Sequence, residues 1–591
     1  MDQLLFVWVE KFRNIENVGF NFSNQYEIKY NKDENEIIVN TVDGEPALKE
    51  DEAKLLFDDK KHYLEDFFQI QNKNNVVISQ VSALIGKNSS GKSNIIDFIL
   101  TAISTGSRSK LQSNYILVFK RNDELCFFGK TDNNSLSTST LICLNKNVPK
   151  IEPDKKWESM FYSNVADNKE HIFNDSSVYN YSFNKLNELQ SNKIDFVSSV
   201  FFEDTWNRLN TKDSPIKNIR FVFNPMSFLR IEKTNDLDQK LVGILKRYRK
   251  AIYEESSSNA NRFYYGLVIN LLCFLYEKKH NISPLLEIVN LVGSDGFAEA
   301  IRVLHPKVVL FIAGINEMDS DILKKNEFNS YKNLINQFSL KDEDGKVVLY
   351  NLGEIDSYNN SILVDFNDDF KKILSGNQIA FNNSSLITHD WSQLSSGLKA
   401  YLNLFSQLFD LSNKVTSSNN ENILICIDEG DLYLHPEWQK NFLNDLIWFL
   451  EQIFTNTNIQ LVLTSHSPFL ISDLPKENVI LLNKDCKPDR QLNQNSSFGA
   501  NIHQLYNKQF FLANGAIGEF ARNKISNILS ELKDVDKTTL EKYEKLISMI
   551  GEPVLRIRLE EELQKYVKTM GRKALIEWHK SQILQLNKEI E

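Results

Sequence analysis

The sequence lacks the features that would place it in a membrane or an oxidising compartment. Its five cysteines are scattered, odd in number and without metal-binding spacing, which argues against a disulfide framework. No apolar run approaches the roughly 20 residues that a membrane-spanning helix needs. The first six residues carry no basic leader before their short apolar stretch, so we expect no secretory signal. These absences predict a cytoplasmic protein with no membrane contact.

The composition is that of an ordinary globular protein, with 42% hydrophobic and 25% charged residues. A net charge of −10 argues against a protein that coats nucleic acid over its whole surface. We find no internal repeat and no heptad run long enough for an extended coiled coil. At 591 residues the chain exceeds the size at which one hydrophobic core stops growing, so a second lobe is expected.

A phosphate-binding loop is the first motif along the chain. It lies between an apolar strand predicted over residues 76–85 and a helix predicted over residues 94–103, the setting that the pattern Gly-x4-Gly-Lys-Ser requires. Backbone N–H groups would cradle the phosphates, Lys92 would reach the β- and γ-phosphates, and Ser93 would ligate Mg²⁺. A chance match in a loop rich in serine and asparagine is the alternative. The residues predicted to bind ATP are Gly86, Lys87, Asn88, Ser89, Ser90, Gly91, Lys92, Ser93 and Asn94.

Two carboxylates follow a fully apolar strand much later in the chain. Residues 423–427 read Ile-Leu-Ile-Cys-Ile, as expected for a strand buried in a parallel sheet. Asp428 would hold Mg²⁺ through water, and Glu429 would orient the attacking water as the catalytic residue. The alternative is that the pair caps the next helix.

Two shorter motifs flank this strand. Ser395, Ser396 and Gly397 precede an amphipathic helix, and His466 follows an apolar strand predicted over residues 459–464. Taken alone, the first motif is an ordinary helix N-terminus and His466 is a buried structural histidine.

The order of these motifs resembles that of the ABC ATPase superfamily, and within it the SMC-like and RecF-like heads. The family signature Leu-Ser-Gly-Gly-Gln is matched by residues 394–398, with Ser396 in place of the first glycine and Leu398 in place of glutamine. The resemblance implies that Ser395 and Gly397 contact the γ-phosphate bound by the opposite subunit and that His466 senses it. It therefore implies a homodimer with two shared ATP sites, or a higher oligomer built from such dimers.

Segments near the C-terminus extend the resemblance. Residues 432–439, 497–503, 510–512 and 515–520 are similar to the PtuA ATPases of Septu anti-phage systems, which also accompany certain retrons. This resemblance implies an ATPase subunit of an antiviral defence complex. Its partners would be an HNH nuclease (PtuB-like) and, in the retron setting, a reverse transcriptase with its RNA–DNA product.

The fold class we predict is α/β, with an ABC-type P-loop ATPase head built from both ends of the chain and a helical lobe inserted in its middle. The head would comprise residues 1–232 and 341–500, the helical lobe residues 233–340, and a helical docking region residues 501–591. Residues 116–128 predict one strand. Residues 145–232 show few clean periods and predict no particular element.

Several alternatives stay open. Arg13 is either a nucleotide contact or a surface arginine, and Gln112 is a guess for a glutamine loop. The basic run at 246–250 is either a nucleic-acid contact or a solvated helix face. The competing functions are a single-chain ATPase–nuclease of the OLD type, for which Asp534 and Asp536 supply an Asp-x-Asp pattern, an SMC-like or RecF-like DNA-repair ATPase, and a transporter ATPase.

Overall fold

The fold is given by a computed structural model that describes much of the chain. The described residues are 3–41, 67–70, 74–121, 124–131, 141–143, 146–148, 150, 157–165, 170–173, 178–188, 218–223, 333–334, 361–365, 367, 369, 373, 387–390, 395–418, 422–489, 496–508, 517–534, 539–569 and 572–590. They separate into two compact units, Met1–Leu505 and Tyr506–Glu591. The predicted helical lobe at 233–340 lies outside the described residues except at 333–334.

The first unit is rich in strands. In chain order they are β1 (Gln3–Phe12), β2 (Ile15–Asn21), β3 (Tyr26–Asn31), β4 (Glu36–Thr41), β5 (Val77–Gly86), β6 (Tyr115–Arg121), β7 (Glu124–Lys130), β8 (Leu141–Cys143), β9 (Lys146–Val148), β10 (Trp157–Ser163), β11 (Val178–Ser182), β12 (Asn218–Phe223), β13 (Ser361–Asp365), β14 (Ile387–Asp390), β15 (Asn422–Asp428), β16 (Asn458–Ser465) and β17 (Val479–Leu482).

The described α-helices occur in both units and make up most of the second. They are α1 (Lys92–Ile103), α2 (Phe183–Glu188), α3 (Ser396–Ser418), α4 (Pro436–Ile453), α5 (Pro468–Ser472), α6 (Ile502–Lys508), α7 (Glu519–Glu531), α8 (Leu540–Ser548), α9 (Pro553–Thr569) and α10 (Arg572–Ile590). None of the helices in the described part of the chain combines the length and apolar character needed to cross a membrane.

A six-stranded parallel sheet places the site. Its strand order is β11-β10-β15-β16-β5-β17, and every neighbouring pair is parallel. Ser163, Asp428, Thr464 and Leu84 are successive partners across four of these strands. Because all the strands run the same way, their carboxyl ends meet at one edge, and the loops that carry the predicted chemistry leave the sheet there.

Helix α1 lies between this parallel sheet and a four-stranded antiparallel sheet of order β2-β1-β6-β7. One buried cluster contains Ile95 and Ile99 of α1, Val462 of the parallel sheet, and Val7 and Leu117 of the antiparallel sheet. On the opposite face of the parallel sheet, the Tyr162 hydroxyl lies 3.3 Å from the carbonyl oxygen of Ala400 in α3. The parallel strands are therefore covered on both faces, which explains their near-continuous apolar sequences.

A buried amide joins the two sheets. Gln460 Oε1 in β16 accepts from the backbone N–H of Leu4 in β1 at 2.9 Å, and its Nε2 donates to the Leu4 carbonyl oxygen at 2.8 Å. The Gln460 side chain thus makes the two hydrogen bonds to Leu4 that the backbone of a neighbouring strand would otherwise make. The register of β1 against β6 shifts between Leu4 and Phe6, as in a β-bulge. Beyond the bulge, Phe6 and Trp8 face a second cluster with Ile28 of the β3-β4 hairpin.

The second unit is helical in its described residues. Its core is formed by Ile528 of α7, Ile547 of α8, and Leu559, Leu563 and Val567 of α9. Asp534 lies in a 3-10 turn at Leu532–Asp534 rather than at the end of a strand, whereas Asp536 falls outside the described residues.

One sequence-based prediction of local structure was wrong, and one stretch without a prediction contains strands. Residues 116–128, predicted as a single strand, lie in the antiparallel pair β6 and β7. The prediction merged the two strands because the sequence is apolar on both sides of the turn. The stretch 145–232, for which no element was predicted, supplies β10 and β11 of the parallel sheet. Met160, Phe161 and Tyr162 of β10 are all buried, so this strand lacks the alternation that reveals a half-exposed strand.

Candidate active site at the carboxyl edge of the parallel sheet

The phosphate loop connects β5 to α1 at the carboxyl edge. Lys87, Asn88 and Ser89 are exposed, whereas Ser90 is buried. The backbone is left-handed at Ser89, with φ of 67°, and at Gly91, with φ of 87°. Gly91 also occupies the N-cap position of α1, where no side chain caps the helix. The first N–H groups of α1 are therefore available to an anion.

The loop fits a phosphate group. Ser90 Oγ is buried and finds no hydrogen-bond partner within the described part of the chain. A Cβ on Gly86 would collide with that hydroxyl, and a Cβ on Gly91 would collide with Cys486 Sγ. The two glycines thus keep the loop tight, and the unsatisfied hydroxyl is the kind of group that a bound phosphate oxygen would satisfy.

Lys92 is held against the loop. Its Nζ donates to the carbonyl oxygens of Gly86 at 3.0 Å and Lys87 at 3.4 Å, and lies 3.0 Å from His466 Nε2. Burial lowers the pKa of Lys92, and the nearby carboxylates of Glu429 and Asp428 oppose that shift. Phosphate oxygens would offer this ammonium stronger acceptors than carbonyl groups do.

Asp428 joins three elements at the end of β15. Its Oδ1 accepts from Ser93 Oγ of α1 at 3.1 Å and from Thr464 Oγ1 of β16 at 2.6 Å. Ser93 and Asp428 are thus brought together from distant parts of the sequence. A hydroxyl and a carboxylate are oxygen ligands that suit Mg²⁺, which keeps several of its own waters.

Glu429 adopts a strained backbone beside Asp428. Its φ is 51°, a left-handed conformation that costs a non-glycine residue of order 1 kcal/mol or more. Its N–H donates to Thr464 Oγ1 at 2.9 Å and to the Thr464 carbonyl oxygen at 3.2 Å, and these bonds hold the turn. Its carboxylate Oε1 lies 3.4 Å from His466 Nε2. The turn therefore places the Glu429 carboxylate beside His466, whose ring nitrogen also contacts Lys92.

The alternative that Asp428 and Glu429 cap the following helix does not hold. Helix α4 begins at Pro436, and its N-cap is His435, whose Nδ1 accepts from the Glu437 N–H. The intervening loop is fixed by Asp431, which accepts a hydrogen bond from the Ser465 hydroxyl. Burial raises the pKa of Asp431, and that hydrogen bond opposes the shift.

The Ser-Ser-Gly motif begins α3. Ser395 Oγ accepts from the Leu398 N–H at 3.2 Å, so it caps the helix as its ordinary sequence interpretation predicts. Ser395 and Ser396 are exposed, whereas Gly397 is buried. A Cβ on Gly397 would lie 2.6 Å from the carbonyl oxygen of Tyr433, so the loop after Glu429 packs directly on this glycine.

Arg13 is exposed at the surface beside α1. Its guanidinium forms an ion pair with the buried Asp97 and donates to Asn94 Oδ1 at 3.0 Å. His171 Nδ1 lies 2.7 Å from the other oxygen of Asp97. Gln112 is exposed before β6 in the antiparallel sheet, where its carbonyl oxygen accepts from Lys130. No described contact brings Gln112 to the carboxyl edge.

Two residues at this edge had no predicted role. The Thr464 hydroxyl hydrogen-bonds to both Asp428 and Glu429. Its only signal in the sequence was a polar residue near the end of an apolar strand. Asn164 follows Ser163 of β10; its Oδ1 accepts from the Tyr162 hydroxyl at 2.5 Å, and its buried Nδ2 has no hydrogen-bond partner within the described residues. Asn164 lies in the stretch with no clear periodicity, so no pattern pointed to it.

A parallel sheet with a phosphate loop, a hydroxyl–carboxylate pair and a strained glutamate at one edge defines a P-loop ATPase domain. A family model described as "AAA domain, putative AbiEii toxin, Type IV TA system" matches residues 81–472. The match covers most of the chain and every element of the site, and the chain belongs to this AAA-domain family.

Short segments are similar to curated proteins. Over 97 residues the chain is 36% identical to the "Retron Ec83 probable ATPase" of Escherichia coli, a match that covers 15% of this chain and 16% of that protein. Over 178 residues it is 28% identical to the "Retron Vc95 probable ATPase" of Vibrio cholerae serotype O1 biovar El Tor, covering 29% of this chain and 30% of that protein. The matched segments thus span less than a third of either relative.

We predict that Thr464→Val lowers ATP turnover by roughly 10- to 100-fold and leaves ATP binding within about threefold of wild type. Valine keeps the shape but removes the hydroxyl that fixes Asp428 and Glu429, and positioning of these groups matters most in the transition state. Steady-state phosphate release and equilibrium ATP binding measure the two effects. Thr464→Ser, which keeps the hydroxyl, is the control and should retain most turnover. Equal turnover in the valine and serine variants would contradict this role.

Proposed function

We propose that this chain binds and hydrolyses ATP as the ATPase subunit of a Septu-type or retron-type anti-phage defence complex, in which it regulates a separate HNH nuclease. The observation that carries the ATPase part is the meeting of Ser93, Asp428, Thr464 and Glu429 at one sheet edge. The names of the two retron relatives support the setting in defence. The PtuA-like segments near the C-terminus support the Septu type.

The site residues divide the work of phosphoryl transfer. Ser93 and Asp428 would hold Mg²⁺, which neutralises charge on the β- and γ-phosphates. Lys92 would exchange its contacts with the Gly86 carbonyl and His466 for phosphate oxygens. This exchange would free His466 to interact with the γ-phosphate, and Glu429 would hold the attacking water in line.

The two exposed serines of the Ser-Ser-Gly motif support a site shared between two copies. Ser395 and Ser396 are open to solvent at the N-terminus of α3, where orphan N–H groups favour an anion. Gly397 packs on the loop that follows Glu429 in the same chain. If Ser395 contacts a γ-phosphate bound by a second copy, this packing would connect that phosphate to the catalytic turn of the first copy. This arrangement supports an ABC-like or SMC-like dimer with two composite sites, from which a higher oligomer could be built.

Two substitutions separate nucleotide binding from hydrolysis. Lys92→Ala should weaken ATP binding by about 100-fold or more, because the lysine balances phosphate charge in both the ground and transition states. Glu429→Gln should keep ATP affinity and lower turnover by roughly 100-fold, because the glutamate serves the attacking water. Lys440→Ala, which changes an exposed lysine of α4 with no role in the site, is the control and should stay within about threefold of wild type. Wild-type affinity in Lys92→Ala, or wild-type turnover in Glu429→Gln, would refute the assignment.

Mixing two inactive variants tests the shared site. In a mixed dimer of Lys92→Ala and Ser395→Arg, one composite site keeps an intact phosphate loop and an intact serine, so about half of the wild-type activity per mixed dimer should return. Ser395→Ala, which removes the cap at a cost of about 1 kcal/mol but adds no bulk, controls for damage to α3. A mixture that never exceeds the activity of either variant alone would rule out sites shared between copies.

The regulatory role predicts that the purified chain hydrolyses ATP slowly and cuts no DNA, because its assigned catalytic groups all serve ATP. DNA cleavage should appear only after the HNH partner is added and should respond to Glu429→Gln. The assay is cleavage of labelled DNA in Mg²⁺ or Mn²⁺. Cleavage by the chain alone that disappears in Asp534→Ala/Asp536→Ala would instead favour a single-chain ATPase–nuclease.

A further inference from the structure

A small hydrogen-bonded network joins β10 of the parallel sheet to α3. The Tyr162 hydroxyl donates to Asn164 Oδ1 at 2.5 Å and accepts from Asn403 Nδ2 at 3.3 Å. It also lies 3.3 Å from the carbonyl oxygen of Ala400. Tyr162 has no exposed surface, and Asn164 is 7% exposed. Burial raises the pKa of Tyr162, so the phenol stays neutral and keeps the single proton that it donates to Asn164.

The network meets α3 directly after the Ser-Ser-Gly motif. Ser396, Ala400 and Asn403 are four and three residues apart, so they lie on one face of the helix. Ala400 and Asn403 therefore belong to the turns that follow the motif. A bond to these turns fixes the end of α3 at which Ser395 is exposed.

On the side of the sheet, the network lies at the level of the catalytic residues. Tyr162 pairs with Ile427 in the parallel ladder, and Ile427 immediately precedes Asp428. Strand β10 is thus hydrogen-bonded to the strand that ends in the two carboxylates. The Tyr162 hydroxyl therefore connects the helix of the motif to the carboxyl edge through a single strand.

The polar character of the network indicates a role in positioning. A phenylalanine at position 162 and aliphatic residues at positions 164 and 403 would fill similar space with no polar groups to satisfy. The chain instead buries Tyr162 and Asn164, and Asn164 Nδ2 has no hydrogen-bond partner within the described residues. Apolar packing is non-directional, whereas hydrogen bonds require a particular distance and angle. The network therefore restricts how α3 can slide or rotate on the sheet.

The far half of α3 has a separate attachment. The Tyr181 hydroxyl of β11 donates to Asp410 Oδ2 at 2.5 Å and accepts from Lys414 Nζ at 3.0 Å. Asp410 lies about four turns, or roughly 20 Å, beyond Ser396 along the helix. Tyr181 thus holds the far half of α3, and the network around Tyr162 holds the half that carries the motif.

We propose that Tyr162 is a positioning residue for the Ser-Ser-Gly motif, because its hydroxyl holds the first turns of α3 where Ser395 can reach ATP bound by a second copy. This inference rests on the proposed shared site. Since Tyr162 has no exposed surface, it acts through α3 and does not touch nucleotide. Loss of its hydroxyl therefore impairs the ATP site of the partner and spares the site on its own chain.

The mixture of Lys92→Ala and Ser395→Arg copies provides the test, because it gives each copy one role. Its one intact site takes the phosphate loop from the Ser395→Arg copy and the motif from the Lys92→Ala copy. Tyr162→Phe in the copy that supplies the motif should lower the recovered turnover by about tenfold or more, since misplaced contacts are costly in the transition state. The same substitution in the copy that supplies the phosphate loop should leave turnover within about twofold.

Two further variants make the result specific. Tyr181→Phe removes the same atom from the attachment on the far half of α3, and it should leave turnover within about twofold in either copy. Asn403→Leu removes the donor that α3 contributes to the network, and it should show the same dependence on placement as Tyr162→Phe. Equilibrium ATP binding to Tyr162→Phe alone should stay within about threefold of wild type, because its phosphate loop is intact.

The outcomes separate this inference from the function on which it rests. If the mixture recovers no activity before Tyr162 is changed, the shared site itself fails. If activity is recovered but Tyr162→Phe and Asn403→Leu lower turnover equally in both placements, or in neither, the hydroxyl does not position the motif. A loss confined to the copy that supplies the phosphate loop, or a loss of ATP binding by Tyr162→Phe alone, would assign Tyr162 to the site on its own chain and overturn the proposal.

Discussion

One carboxylate oxygen organises the site, because Asp428 Oδ1 accepts hydrogen bonds from hydroxyls on two different elements. Ser93 approaches it from α1, and Thr464 approaches it from the neighbouring strand. This meeting depends on the register in which Asp428 pairs with Thr464 and Thr464 with Leu84. A one-residue slip of β15 would turn Asp428 to the other face of the sheet. The buried apolar residues of the strand fix that register, so the core and the chemistry are specified together.

The buried ammonium of Lys92 is held by acceptors from three different groups. A buried ammonium needs acceptors, and Lys92 has the carbonyl oxygens of Gly86 and Lys87 together with the His466 ring nitrogen. The carboxylates of Glu429 and Asp428 further favour its charge. A phosphate group would compete for the same ammonium. We therefore expect the contacts of Lys92 and His466 to rearrange if nucleotide binds, whereas the bonds among Ser93, Asp428 and Thr464 would need little change.

Sequence predicted the parts of this site that are contiguous and set between recognisable elements. The phosphate loop follows an apolar strand and precedes a helix, and the two carboxylates end another apolar strand, so both were accessible from local pattern. Thr464 and Asn164 were missed because their positions depend on pairing between strands that are distant in the sequence. Strand β10 was missed because it is buried on both faces and has no alternation.

We infer that Mg²⁺ and ATP bind at the carboxyl edge between the phosphate loop and Asp428. A crystal structure of the chain with Mg²⁺ and a non-hydrolysable ATP analogue tests it most directly. We expect phosphates against the loop from Gly86 to Lys92, a metal about 2.1 Å from Ser93 Oγ, and Lys92 Nζ withdrawn from His466. An analogue bound elsewhere, or one bound here with Lys92 still joined to His466 and no metal at Ser93, would contradict it.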